Sequence, residues 1–378
     1  MKTKPMTKFA ILALSLVLVA CAGGGSEEAG CPAIDGREIN VVATTPMIGE
    51  FVSQVGGENI NLTVLMPPEA NPHTYEPAPQ DAGTIAEADL VFYTGLLYEP
   101  AALVKLLENS ACSTDILSEV GESVFPIEFK EGGHDDHDDH DDHDDHDDEK
   151  DHDDEEGHDD HDDEEGHDDH DDEEGHDDEE GHDDEEGHDD EEGHDDHEGH
   201  NHGAYDPHFW FDPSRVAYAA EYIESRLIQF DPENESSYKS SADSFVSELN
   251  DLTKQVSELI STVPSQNRKL ITTHESLGYL EAKFGLEVLS TIIPSLNSAN
   301  EISPSDLAGV IDVIEDNNVK VIFIESEAPS VYSETIVAET GIKPVTGLYV
   351  ETLKPGQSYS EFLISNVKLI TENLQDTD

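Results

Sequence analysis

The chain has 378 residues, with 89 acidic and 18 basic side chains and a formal net charge of −71 at pH 7. A charge of that sign repels nucleic acid and anionic lipid and attracts cations, which argues against a nucleic-acid-binding function. Of the acidic residues, 44 lie between Glu131 and His202. The remainder of the chain is long enough for two ordinary lobes.

The amino terminus has the order of a secretory signal. Three lysines precede an apolar run from Phe9 to Ala20, and Cys21 follows. The run is shorter than the roughly 20 residues that a spanning helix needs. Leu18-Val19-Ala20-Cys21 has the pattern of a bacterial lipobox. We therefore predict a signal peptide over residues 1–20, lipidation of Cys21 and a flexible tether over residues 21–36. This places the protein outside the cytoplasm, anchored to the cell membrane, in a periplasm or on the outer face of the cytoplasmic membrane. An ordinary cleaved signal with an incidental cysteine is the alternative.

Two further cysteines, Cys31 and Cys112, remain in the chain. An exported protein meets an oxidising environment, so a disulfide between them is expected, with two free thiols as the alternative.

Apolar runs typical of strands alternate with helical patterns on both sides of the acidic segment. The predicted strands are Ile39 to Ala43, Ile60 to Met66, Asp89 to Thr94, Lys269 to Thr273, Leu286 to Ile292, Val319 to Ile324 and Pro344 to Val350. Predicted helices include Leu97 to Glu108 and Pro304 to Asp316, the second capped by Ser303. The alternation predicts an α/β fold of βα units with parallel sheets, in an amino-terminal lobe (residues 37–230) and a carboxy-terminal lobe (residues 265–378).

One long helix is predicted between the lobes, over residues 231–264. Asp231 can cap it, and apolar residues recur at spacings of three and four from Tyr238 to Val263. At 1.5 Å per residue its length is roughly 46 Å, so it can join two lobes as a rigid rod.

A His/Asp/Glu-rich loop, residues 131–203, interrupts the first lobe. It has almost no apolar residues and predicts a disordered insert. An acidic spacer is the alternative. A spacer would explain the acidic residues but not the histidine at nearly every repeat. Imidazoles among carboxylates predict weak binding of several metal ions. The histidines concerned are His134, His137, His140, His143, His146, His152, His158, His161, His167, His170, His176, His182, His188, His194, His197, His200 and His202.

Only three of the 20 histidines lie outside this loop, namely His73, His208 and His274. Each stands in a turn or at the end of a predicted strand. In parallel α/β sheets, ligands bind beyond the carboxyl ends of the strands, so these side chains can share a cleft. Together they predict a metal site.

Several sequence strings, in order, carry a family resemblance: NPHTYEP, DPHFWFDP, TTHESLGYLEAKFGL, VKVIFIESEAPS and GLYVETL. The chain resembles the metal-binding subunits of ABC importers for zinc and manganese from about Ile39 to its end. The resemblance implies two lobes on one long helix, a single ion between them, and a permease and ATPase as partners. It makes His73 and His208 ligands from the first lobe and His274 a ligand from the second. We expect a monomer.

The resemblance also points to Glu351 as a fourth ligand, since many relatives have a carboxylate in this segment. A surface carboxylate with water as the fourth ligand is the alternative. Glu76, Glu275 and Glu325 are candidates for orienting the imidazoles.

Three imidazoles and one carboxylate favour Zn²⁺ as the captured ion, because Mn²⁺ prefers more oxygen donors. A manganese-specific protein of the same family is one alternative, and a surface lipoprotein for metal buffering or adhesion is another. An enzyme is disfavoured because the sequence has no HExxH and no GxSxG motif.

Overall fold

A computed structural model describes residues 31, 34, 36–129, 205–327 and 331–375. The predicted signal peptide, Cys21, most of the tether and the His/Asp/Glu-rich loop lie outside the described residues. A search of the described residues for a helix long and apolar enough to cross a membrane finds none.

The first lobe is built on a four-stranded sheet in which every ladder is parallel, in the order β2-β1-β3-β4. Its elements are β1 (Ile39–Ala43), α1 (Pro46–Gly56), β2 (Ile60–Val64), α2 (Pro79–Ala86), β3 (Leu90–Tyr93), α3 (Ala101–Ser110), β4 (Leu117–Glu119) and α4 (Pro213–Phe230). Parallel ladders need crossover connections, and the helices between the strands supply them.

The second lobe repeats this βα organisation with two parallel pairs, β5-β6 and β7-β8. Its elements are β5 (Lys269–His274), α6 (Gly278–Phe284), β6 (Glu287–Ile293), α7 (Pro304–Asp316), β7 (Val321–Glu325), α8 (Val331–Thr340), β8 (Lys343–Leu348) and α9 (Tyr359–Gln375). β5 and β7 are neighbours, and Glu325 N donates to Thr273 Oγ1 at 3.0 Å. The α/β class with parallel sheets, predicted from the sequence, is confirmed.

A 27-residue helix, α5 (Glu235–Ser261), lies between the two lobes in the chain. Its buried residues include Phe245 and Leu249, and it packs against α1 and α4 of the first lobe and α9 of the second. One continuous apolar core therefore runs through both lobes. This continuity, over a rod of about 40 Å, opposes large hinge motion between the lobes.

The long helix is shorter than residues 231–264, because Pro232–Asn234 form a 3₁₀ turn ahead of it. The carboxylate of Asp231 accepts hydrogen bonds from Asn234 Nδ2 and Tyr238 Oη, at 2.7 and 2.6 Å, and caps no backbone N–H of α5.

Two other elements differ from prediction. β4 was not predicted, because three residues are too few to show an alternating pattern. The helix expected from Leu97 begins only at Ala101, since Gly95, Leu96 and Leu97 all have positive φ, at 77°, 53° and 61°. The buried carboxylate of Glu99 holds this bend by accepting from the N–H groups of Thr94 and Gly95.

Two local features agree with the sequence patterns. Ser303 caps α7 by accepting from Asp306 N at 3.2 Å, and Pro304 opens the helix. A disulfide joins Cys31 to Cys112, just beyond the end of α3.

Candidate metal centre

His73 lies in a 3₁₀ turn, Pro72–Thr74, in the loop between β2 and α2. Its backbone N–H donates to Asn71 Oδ1 at 2.9 Å, and Pro72 restricts the backbone ahead of it. The imidazole is almost wholly buried, with 3% of the side chain exposed. The turn thus presents one ring in a fixed direction.

His208 is fixed by the carboxylate of Asp206, two residues earlier. Asp206 Oδ1 accepts from His208 N at 2.8 Å and lies 2.7 Å from its Nδ1. Tyr279 Oη donates to the carbonyl of Asp206 at 2.8 Å and so holds the segment from the second lobe. When Nδ1–H donates to a carboxylate, the other ring nitrogen, Nε2, keeps its lone pair free for a metal.

His274 is the last residue of β5 and has an analogous partner. The carboxylate of Glu325, at the end of β7, contacts His274 Nδ1 and accepts from His274 N at 3.2 Å. The ends of β5 and β7 are neighbours, so the packing of the two strand pairs places the carboxylate beside the ring. Nε2 of His274 again faces away from this partner.

Glu351 lies in the loop after β8 and reaches all three imidazoles. Its Oε1 is 2.9 Å from both His73 Nε2 and His274 Nε2, and its Oε2 is 3.6 Å from His208 Nε2. Tyr98 Oη, from the first lobe, donates to Oε2 at 2.9 Å. The four side chains offer one ligand atom each, all within 4.8 Å of one another.

The candidate ligand side chains are buried next to one another, so their charges interact. Nε2 of His208 and Nε2 of His274 are buried and lie 3.6 and 2.9 Å from the Glu351 carboxylate, but neither has hydrogen-bond geometry toward it or toward another described residue. Burial by itself lowers the pKa of His208, but the charges of Glu351 and Asp206 outweigh it and raise the pKa to about 9. The pKa of His274 likewise rises well above its ordinary value, because Glu325 and Glu351 outweigh the effect of burial.

Burial would raise the pKa of Glu351, but the three imidazoles lower it well below its ordinary value. The carboxylate therefore stays ionised, and protons on the rings balance its charge when no metal is bound. An ion that replaced those protons would find three nitrogens and one oxygen already assembled.

The candidates for orienting the imidazoles have different positions. Glu325 contacts His274, as the sequence suggested. Glu76 is exposed, and Glu275 accepts a hydrogen bond from Thr291 Oγ1 at 3.0 Å. Within the described part of the chain, neither of these two is hydrogen-bonded to a site histidine.

Three supporting residues were missed in the sequence. Asp206 could have been found, because an aspartate often bonds the backbone two residues on, and here that residue is His208. Tyr98 gives no local signal, because its partner Glu351 is 253 residues away. Glu327, whose Oε1 accepts from Val350 N and Glu351 N, was also missed. Burial, with the nearby carboxylates Glu351 and Glu325, raises the pKa of Glu327 to about 8.

The family model described as "ZnuA: Zinc-uptake complex component A periplasmic" matches residues 41–373. The chain belongs to this family. The resemblance inferred from the sequence strings is confirmed, and the chain is a substrate-binding protein of a metal ABC transporter, not an enzyme.

Relatives of this ZnuA-family chain are named for different metals. The manganese ABC transporter substrate-binding lipoprotein PsaA of Streptococcus anginosus is 23% identical over 380 residues, which cover 98% of this chain and 99% of PsaA. The high-affinity zinc uptake system protein ZnuA of Bacillus subtilis is 25% identical over 376 residues, which cover 97% of this chain and 96% of that protein.

Solved structures show the same fold. The periplasmic zinc binding protein TroA from Treponema pallidum aligns with a TM-score of 0.66 and 18% identity, over 89% of this chain and 99% of TroA. Fe(III)-bound YtgA from Chlamydia trachomatis aligns with a TM-score of 0.64 and 22% identity, over 89% of this chain and 98% of YtgA. Zinc, manganese and iron all occur among these names, so the choice of metal must be argued from the site.

Proposed function

We propose that the protein captures one Zn²⁺ with His73, His208, His274 and Glu351 and delivers it to the permease of its ABC importer. The observation that carries this proposal is the donor set: three imidazole nitrogens and one carboxylate, buried together within 4.8 Å. Zn²⁺ favours four ligands of this kind in a tetrahedron, whereas Mn²⁺ prefers more oxygen donors.

The size of the cluster also suits a small ion. In a tetrahedral site with Zn–N bonds of about 2.0–2.1 Å, ligand atoms lie roughly 3.3 Å apart. The donor atoms of the cluster are already at 2.9 to 3.6 Å for three of their pairs. Small side-chain rotations would therefore complete the site.

The split of the ligands between the lobes supports a role in delivery. His73 and His208 belong to the first lobe, and His274 and Glu351 to the second. A small tilt of one lobe lengthens bonds to an ion held by the other, so contact with the permease from one side can release the ion. The shared core around α5 makes a small tilt sufficient and a large hinge unnecessary.

The test is a competition titration of the metal-free full-length chain against chromophoric chelators, once with Zn²⁺ and once with Mn²⁺. We expect one tight Zn²⁺ equivalent and weaker Mn²⁺ binding. Tighter binding of Mn²⁺ would instead support the manganese-specific alternative. Relatives such as PsaA are named as manganese-binding proteins. If neither ion binds tightly, the result would favour a surface lipoprotein that buffers metal.

Two accessory roles belong to residues outside the described part. We propose that Cys21 carries the lipid that keeps the protein beside its importer, consistent with relatives named as lipoproteins. Cys21→Ser should move the protein from the membrane fraction to the soluble fraction, and unchanged membrane association would contradict this role. We further propose that the His/Asp/Glu-rich loop gathers or senses zinc through weak sites.

A further inference from the structure

The last residue of β7 and the second residue after it contact groups that hold three of the four candidate ligands. The carboxylate of Glu325 holds His274, as described above. Two residues on, Glu327 Oε1 accepts from Val350 N at 3.2 Å and from Glu351 N at 3.3 Å. The position of the Glu351 backbone is therefore set by another side chain.

The backbone of the same residue reaches the first lobe. Asn71 Nδ2 donates to the carbonyl oxygen of Glu327 at 3.2 Å and to Ser298 Oγ at 3.1 Å. The other end of the Asn71 amide, Oδ1, accepts from His73 N at 2.9 Å. A chain of hydrogen bonds thus joins the His73 turn to the Glu351 loop across the two lobes, and no metal takes part in it.

The burial of the Glu327 carboxyl group points to a role for this residue in the metal site. Glu327 Oε2 is buried and has no hydrogen-bond partner among the described residues. Such a group costs free energy and needs an explanation. Its Oε1, by contrast, satisfies two adjacent N–H groups at the base of Glu351.

We propose that Glu327 is a positioning residue that holds Glu351 in reach of the ion, so that a carboxylate and not water completes the metal site. Its side chain fixes the peptide of Glu351, and its carbonyl, through Asn71, fixes the turn of His73. This inference rests on the proposed function, because it concerns the same metal site.

Two substitutions separate the hydrogen bonds that Glu327 accepts from the rest of its side chain. Glu327→Ala removes the acceptor, whereas Glu327→Gln keeps an acceptor oxygen in an uncharged side chain of the same length. Loss of a residue that orients a ligand weakens metal binding by about tenfold to a hundredfold. We expect a loss of that size for Glu327→Ala and a smaller loss for Glu327→Gln.

The experiment is a Zn²⁺ competition titration of the full-length chain, with the Glu327 variants made alone and in a Glu351→Ala background. Glu327→Ala should cause no further loss once Glu351 is gone, because both changes remove the same ligand. The Co²⁺ absorption of Glu327→Ala should also weaken toward that of Glu351→Ala, as water enters the coordination shell. Equal affinity of Glu327→Ala and the unsubstituted protein, equal losses for Ala and Gln, or an undiminished loss in the Glu351→Ala background would each overturn the inference.

If Glu327→Ala does not fold, a second double-mutant cycle uses Asn71→Ala and His73→Ala. Asn71→Ala should weaken Zn²⁺ binding alone but not in a His73→Ala background, and equal losses in both backgrounds would overturn the inference. The unsubstituted protein, titrated in parallel, tests the proposed function. Absence of a tight equivalent there would refute that function and the inference with it, whereas a tight site that is insensitive to these variants refutes the inference alone.

Discussion

Zinc affinity should rise steeply with pH, because protons occupy the rings that the ion needs. The pKa of His208 in the metal-free protein is about 9, so at pH 7 roughly one molecule in 100 has this ring neutral. Displacing that proton at pH 7 costs about 3 kcal/mol. The pKa of His274 is also raised, so Zn²⁺ binding displaces a second proton from this ring. Each displaced proton contributes a factor of ten in affinity per pH unit, so affinity should increase by about tenfold to a hundredfold per unit between about pH 6 and 8.

The assay is chelator competition for the first Zn²⁺ equivalent at several pH values, with calorimetry in buffers of different ionisation enthalpy to count released protons. His208→Ala is the control and should lower the pH slope by about one proton. An affinity that does not change over this range, or binding without proton release, would refute the charge assignment in the cluster.

The free energy of unfolding of the metal-free protein should fall as pH rises. The folded-state pKa of His208 lies above its ordinary value of 6.5, so its contribution is complete below that pH and is lost as pH rises through about 9. Holding the proton on this buried ring contributes about 3 kcal/mol to the stability of the folded state at low pH. Thermal unfolding of metal-free protein should show this decline for the unsubstituted chain and a smaller one for His208→Ala.

Four further outcomes are expected. His274→Ala should weaken Zn²⁺ binding by at least about a hundredfold, because it removes a ligand and leaves two buried carboxylates without their partner; unchanged affinity would reject its role. Glu325→Gln should weaken binding by about tenfold while stoichiometry stays at one, and titration of both variants measures this. Replacing Cys31 and Cys112 by serine should lower the free energy of unfolding by about 2–4 kcal/mol in denaturant titrations, because the bond closes a long loop, with little change in zinc affinity. Deleting residues 132–201 should remove the weak zinc equivalents seen by equilibrium dialysis and keep the tight one; loss of the tight equivalent would contradict the assignment of that site to the folded lobes.

Local sequence patterns predicted much of the fold. The apolar spacing of three and four located α5, since one face of a helix must be buried whatever it packs against. The cap at Ser303 and the strand runs of both lobes are equally local, and they agree with the structure to within a few residues. The boundary of α3 was wrong because the bend of positive-φ residues held by Glu99 was not anticipated, and because Pro100, which disfavours helical backbone at Glu99, was overlooked.

The sequence by itself determined that three histidines stand apart from the His/Asp/Glu-rich loop, each at a turn or a strand end, and the motif strings added Glu351. Only the tertiary structure decided which other groups surround them. It brought Tyr98 and Glu327 to Glu351 and left Glu76 exposed to solvent. The physical reason is that these contacts join different lobes or separate loops, so they depend on how the lobes pack around α5 and not on any local pattern.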